Sequence, residues 1–183
     1  MSTVNRQTTE TRVRVATSTS TSTSRIATGE PFLDHMLTTL ARYAGLPLEI
    51  AAEGDLRHHL IEDVAITLGT VLGRDTPATC VRYGDATIPM DDALVHVSVD
   101  AGGRPHYAGR LPARLYEHFF RSLALNAGWT LHVRVVRGRD RHHIVEAAFK
   151  ALGLAVRQAL RDEGVVFSTK GAVTVEWEEP DAE

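Results

Sequence analysis

The sequence predicts an α/β (α+β) sandwich made of two similar halves, each running strands, helix, strand, helix. The first observation behind this is a long internal repeat. Phe32 to Ile50 reads F-L-D-H-M-L-T-T-L-A-R-Y-A-G-L-P-L-E-I, and Leu115 to Val133 reads L-Y-E-H-F-F-R-S-L-A-L-N-A-G-W-T-L-H-V. The second is a matched block after each copy: His58-His59-Leu60-Ile61-Glu62, then His142-His143-Ile144-Val145-Glu146. A repeat of this length means two copies of one structural unit. The third is that strand and helix patterns alternate in each half, so helices must stack on sheets.

Taken in order, Glu10 to Thr17 alternates β-branched and polar residues and reads as a strand. The Thr/Ser run from Thr17 to Ser24 reads by composition as a flexible linker. Pro31 to Ala44 is a helix, with proline early and Gly45 just past its end. Leu46 to Ala52 is a strand. His58 to Leu72 is a helix with Ile61, Val64, Ala65, Leu68 and Leu72 on one broad face. Thr79 to Ile88 and Ala93 to Ala101 are strands. In the latter, His96, Ser98 and Asp100 alternate with Val95, Val97 and Val99, so one face is wet. Pro112 to Asn126 is a helix closed by Gly128, Trp129 to Val136 a strand, and Arg141 to Arg161 a long helix ended by Gly164. Val173, Val175 and Trp177 suggest a last short strand before an acidic tail. The organisation is a single domain of two pseudo-repeats, about 1–77 and 78–164, with a C-terminal loop and tail at 165–183.

Six of the nine histidines occupy matched positions in the repeat. A lone His-His pair is most often surface or a satisfied core group. Two such pairs, each with a glutamate three residues on and a matched upstream histidine, point to metal. On a helix, residues three or four apart share a face while neighbours diverge by about 100°. His58 and Glu62 can therefore meet on one ion while His59 is free for another, and His142, His143 and Glu146 repeat the arrangement. His35 and His118 can join from the preceding helices. Cys80 is the sole cysteine, so no thiolate zinc site or disulfide framework is available. Imidazole plus carboxylate suits Mn, Fe, Co, Ni or Zn; a six-coordinate site with room for water favours Mn2+, while affinity order alone favours Ni, Cu or Zn.

Composition sets limits. At 183 residues with 43% hydrophobic content, the chain suits one domain with a real core. A net charge of −3 leaves no basic footprint for nucleic acid. No apolar run approaches membrane-spanning length, and the opening residues lack the apolar core of a signal peptide. With one cysteine, this points to the cytoplasm. Lys150 and Lys170 are the only lysines.

The run Gly29-Glu30-Pro31-Phe32-Leu33-Asp34-His35-Met36-Leu37 resembles the signature of imidazoleglycerol-phosphate dehydratases. So do His58-His59 with Glu62-Asp63, Arg82-Tyr83-Gly84, Pro89-Met90-Asp91, Gly103-Arg104-Pro105, Glu117-His118-Phe119, Gly138-Arg139 with His142-His143-Ile144-Val145-Glu146, and Ser168-Thr169-Lys170-Gly171. These pieces stand in family order and cover almost the whole chain. Departures mark a divergent member with shortened loops. Only Leu56-Arg57 separate Gly54-Asp55 from the first His-His, the 104–118 stretch is short, and Phe167 precedes Ser168. Every candidate ligand is spared.

The resemblance implies the fold of the second domain of ribosomal protein S5. It implies two Mn2+ per active site held by His35, His58, His59, Glu62, His118, His142, His143 and Glu146. It also implies sites at subunit interfaces in an assembly of 24 chains. The implied reaction removes water from imidazole glycerol phosphate to give imidazole acetol phosphate, a step in histidine synthesis. Glu146 and Glu10 are then the candidates for moving protons. Arg82, Arg104, Ser168, Thr169 and Lys170, together with Glu10, match substrate-binding positions, the cations suiting the phosphate. Asp63 and Asp91 could orient histidines or be simple cap and turn residues. Two rival readings stand beside this one: a dinuclear metallohydrolase acting on a phosphate ester, and a non-catalytic metal-binding assembly protein.

Overall fold

The computed structural model describes residues 2–17 and 23–165. The first half contains β1 (Thr3–Gln7), β2 (Thr11–Thr17), β3 (Arg25–Ala27), α1 (Pro31–Ala44), β4 (Leu48–Gly54) and α2 (Arg57–Asp75). The second contains β5 (Tyr83–Met90), β6 (Ala93–Asp100), β7 (His106–Gly109), α3 (Arg114–Ala127), β8 (Thr130–Arg137) and α4 (Arg141–Ala159). Each half has a four-stranded sheet, ordered β1-β2-β4-β3 and β5-β6-β8-β7. The outer hairpin and its neighbour are antiparallel in both, and the short edge strands β3 and β7 run parallel to β4 and β8.

Alternation along the strands makes the layers. On β6, Val95, Val97 and Val99 are buried while His96, Ser98 and Asp100 face outward, as the sequence pattern requires. α2 lies on β1, β2 and β4, and α4 lies on β5 and β6. The helices then pair across the halves, α2 on α3 and α1 on α4, giving sheet, helices, helices, sheet. The predicted apolar face of α2 is fully used: Ile61, Val64, Ala65, Leu68 and Leu72 are all buried.

The cross-half pairs are unusually close, and glycine permits it. A Cβ on Gly69 of α2 would stand 2.5 Å from the Leu123 carbonyl oxygen of α3. Its counterpart Gly153 on α4 would meet the Leu40 carbonyl oxygen of α1 at 2.9 Å. α1 and α3 end alike, on Gly45 and Gly128 in the left-handed conformation, so repeated glycines also stop repeated helices.

Several expectations are corrected. β1, β3 and β7 are strands that no strong sequence pattern marks; the latter two span three and four residues. The expected strand at 79–88 begins only at Tyr83. Arg82 before it takes φ 77°, which breaks the extended run, and Cys80 makes a single bridge to Asp162. α3 starts at Arg114 rather than Pro112, and α4 closes at Ala159. The central Thr/Ser run, the possible strand at 173–177 and the acidic tail lie outside the described residues.

Candidate metal and substrate site

The cross-half helix pairs bring the repeated histidines together in a way the linear order does not show. His58 and Glu62, one turn apart on α2, meet His118 from α3. Glu62 Oε2 is 3.5 Å from His58 Nε2, and Glu62 Oε1 is 3.0 Å from His118 Nε2. The other pair mirrors this. His142 and Glu146 on α4 meet His35 from α1, with Glu146 Oε2 3.2 Å from His142 Nε2 and 3.6 Å from His35 Nε2. Each trio thus joins a His-x-x-x-Glu turn of one half to the upstream histidine of the other.

His118 Nε2 is buried and makes no hydrogen bond, despite its short approach to Glu62, because the alignment is wrong. A buried ring nitrogen without a partner is costly unless something else satisfies it. With two imidazoles and a carboxylate, the donor set suits a borderline divalent cation.

The two glutamates differ. Glu146 is buried and Lys150 Nζ sits 2.9 Å from its Oε1. Burial alone would raise its carboxyl, but Lys150, His35 and His142 outweigh that and hold it below the ordinary carboxylate value. At the position of α2 equivalent to Lys150 stands Ile66, so Glu62 has no such cation.

His59 and His143 turn away from these trios, as neighbours on a helix must. His59 Nδ1 faces Asp55 Oδ1 at 3.1 Å and Glu10 Oε2 at 3.4 Å. Glu10, Asp55 and His59 form a second group able to hold a cation. His143 Nδ1 faces Asp92 Oδ1 at 2.8 Å, and its Nε2 faces Asp91 Oδ2 at 3.3 Å. Hydrogen bonding to Asp55 and to Asp92 raises the proton affinity of His59 and His143 respectively. Asp55 and Asp92 lie outside the two matched helix blocks, so the sequence pattern does not single them out.

Asp63 belongs to the interior instead. It accepts from Arg6 Nε at 2.9 Å and from Thr11 Oγ1, tying the first hairpin to α2. The acids preceding His35 and His118 are also structural. Asp34 accepts from Thr28 N and Oγ1 at 2.9 and 2.6 Å, and Glu117 Oε2 accepts from Leu111 N at 2.8 Å.

The expected phosphate residues are elsewhere. Arg82 forms a two-pronged pair with Asp100, Nε to Oδ1 at 2.6 Å and Nη2 to Oδ2 at 3.0 Å. Gly102 and Gly103 pack against this pair, and exposed Arg104 follows them. Asp91 and Asp92, beside His143, lie at the other end of β5, whose eight residues span roughly 25 Å at about 3.3 Å each. Within one chain, Arg82 and Arg104 are therefore far from His143. Ser168, Thr169 and Lys170 lie outside the described residues. Next to the His58 trio is an open depression that the sequence reading missed, lined by Arg57, Arg114 and Arg121 along with His58 and His118.

Fold and site together define an internally duplicated α/β protein with histidine–carboxylate clusters at the seam of its halves. Residues 28–156 match the family model of imidazoleglycerol-phosphate dehydratase. An imidazoleglycerol-phosphate dehydratase of Corynebacterium urealyticum is 46% identical over 170 residues, covering 81% of this chain and 83% of that protein. One from Desulfitobacterium hafniense is 43% identical over 190 residues, covering 93% and 96%. A crystal structure of the Pyrococcus furiosus protein in complex with (S)-C348 superposes with a TM-score of 0.85 at 40% identity, covering 93% of this chain and all of that one. The Staphylococcus aureus enzyme structure gives a TM-score of 0.76 at 35% identity, covering 88% and 99%. The chain belongs to the imidazoleglycerol-phosphate dehydratase family, a family of hydro-lyases.

Proposed function

We propose that this chain dehydrates imidazole glycerol phosphate to imidazole acetol phosphate with two divalent ions, Mn2+ in the cell, at each active site. The carrying observation is the pair of mirrored trios. His58, Glu62 and His118 would hold one ion, and His35 and His142, each within 3.6 Å of Glu146, would hold the other with it. Bound there, the ions would supply Lewis-acid polarisation and a template for the substrate.

Three protein ligands leave each shell short, while His59 and His143 point outward. A neighbouring copy can complete a trio with one of these histidines, so the sites form between chains, in a particle of 24 subunits. The length of β5 supports sharing, since Arg82 and Arg104 cannot reach the histidine cluster of their own chain. Those arginines, with Ser168, Thr169 and Lys170, would then hold the substrate phosphate at a neighbour's site. Each chain is one domain of two pseudo-repeats, about 1–77 and 78–164, followed by the substrate-binding 165–183 segment. It works in the cytoplasm; no helix among the described residues is long and apolar enough to cross a membrane.

The glutamates divide the remaining work. Glu146, buried and fixed by Lys150, is chiefly a ligand. Glu10 is about half exposed on a hairpin turn beside His59, free to move a proton at the substrate carbon or hydroxyl. The test is incubation of the Mn-loaded protein with imidazole glycerol phosphate, reading ketone and free phosphate. Ketone without phosphate release is expected. Phosphate release would mark a phosphoesterase, and neither product would mark a protein that only binds metal.

A further inference from the structure

The repeat gives every residue of the first half a partner in the second, and the strand register extends that pairing to the hairpins. Val15 pairs with Ile50 and Val97 with Val133, and Ile50 and Val133 are equivalent in the repeat. Val15 therefore corresponds to Val97, Thr11 to Ala93, and Glu10 to Asp92. Each acid stands one residue before the middle strand of its half, and each faces the Nδ1 of the second histidine of its pair, at 3.4 and 2.8 Å. The proton-moving candidate Glu10 thus has a structural twin.

The twins are tied down differently. Asp92 is committed through both oxygens. Oδ1 meets His143, while Oδ2 accepts from the backbone N–H of Arg139 at 2.6 Å and of Asp140 at 3.2 Å, fixing the loop that starts α4. Among its described contacts Glu10 has only the longer approach to His59 through its carboxylate. The cause lies one element away. In the first half Asp55 already meets His59 Nδ1 at 3.1 Å. The residue equivalent to Asp55 in the second half is Arg139, which cannot accept a hydrogen bond. With no acid there, the hairpin carboxylate must orient the histidine.

We propose that Asp92 is a positioning residue which holds His143 with its proton on Nδ1 and presents Nε2 to a metal, while Asp55 does this for His59 and so leaves Glu10 uncommitted for proton transfer. The inference rests on the metal-centre reading above. A carboxylate can only accept, so His143 Nδ1 must donate to it. Arg139 and Asp140 hold the other oxygen, so the carboxylate is fixed on both sides. Asp91 Oδ2, 3.3 Å from Nε2, lies on the side where the cation would sit. Outer carboxylates of this kind fix the tautomer and orientation of metal-binding histidines.

The Asp92→Asn variant separates the two jobs of this side chain. Its amide oxygen keeps the Arg139 and Asp140 contacts, while its NH2 faces Nδ1 and forces the proton onto Nε2, blocking that atom as a ligand. Chelator-stripped protein is titrated with Mn2+ alone by calorimetry. One of the two ions should bind about 10–100-fold more weakly in Asp92→Asn, with the fold retained. Glu10→Gln should bind both ions as the parent does while losing turnover, and Asp92→Asn should keep both limbs of the pH–rate profile. Unchanged affinity in Asp92→Asn with a loss confined to Asp92→Ala would reduce Asp92 to a loop cap and overturn the inference. Equal metal loss in Glu10→Gln, or a missing pH limb in Asp92→Asn with metal intact, would overturn the division of labour. A parent chain that binds no Mn2+ removes the metal-centre reading itself; a parent that binds two ions beside an equally competent Asp92→Asn removes this inference alone.

Discussion

His118 Nε2 lies 3.0 Å from Glu62 Oε1, although the two residues come from opposite halves of the chain. The contact exists because α2 crosses α3. A trio assembled this way should fail as a unit. Glu62→Gln or His118→Ala should remove one of the two ions from each site and leave the other. Metal analysis of purified variants checks this, and full occupancy in both would refute the assignment of this trio.

Helix spacing controls the same trio from a distance. Gly69→Ala places a methyl group 2.5 Å from the Leu123 carbonyl oxygen and must push α2 and α3 apart. Overpacking of this kind costs about 1–3 kcal/mol. The melting temperature should fall, and Mn2+ affinity should fall with it because His118 rides on the displaced helix. Denaturation and metal titration of the one variant report both.

The two glutamates should separate kinetically. Glu10→Gln should lower turnover by about 10²-fold or more, the usual scale for losing general acid–base catalysis, with both ions retained. Glu146→Gln should lose an ion together with its activity, because its carboxylate is held between His35 and His142. Turnover and metal content measured side by side decide the roles.

Arg82 and Arg104 should respond unequally. Arg104→Ala should weaken binding of substrate or of a phosphonate analogue by about 1.5–3 kcal/mol, the scale of a hydrogen bond to a charged group, with stability unchanged. Arg82→Ala should also lower the melting temperature, since it leaves part-buried Asp100 unpaired. Parental affinity in Arg104→Ala would take that residue out of phosphate binding.

In the metal-free protein, His59 and His143 have raised proton affinity through Asp55 and Asp92. Their contribution to stability is complete below the unfolded value of 6.5 and is lost as pH rises through the raised folded value. Asp92 acts oppositely: its contribution stands above 3.8 and disappears as pH falls toward 2. Protons and metal compete for the rings, so Mn2+ affinity should climb with pH over the histidine window. Melting curves against pH should show both flanks, and Asp92→Asn should flatten them.

The repeat made the two halves and the helices legible, because Ile61, Val64 and Leu68 recur with helical spacing and Gly45 and Gly128 mark repeated ends. It also announced every histidine later found in a cluster. It did not show that His58 meets His118 rather than His35, since that depends on which helices cross. Nor did it reveal Asp55 and Asp92. They stand at unrelated sequence positions and serve like purposes only after the hairpins and helix starts have folded together. β3 and β7 stayed hidden because three or four residues are too few to carry a pattern.

The reach of β5 bears on inheritance and on mixed populations of chains. With the arginine corner at one end of the strand and the His143 cluster at the other, sites shared between copies would draw their two ends from different molecules. A chain with the whole arginine corner destroyed and a chain lacking His143 would each be inactive alone, yet each would still own the end the other has lost. Co-expressed, they would build hybrid particles in which a fraction of sites receives both intact ends. Two dead alleles would then restore growth together, whereas two alleles damaged at the same end would not.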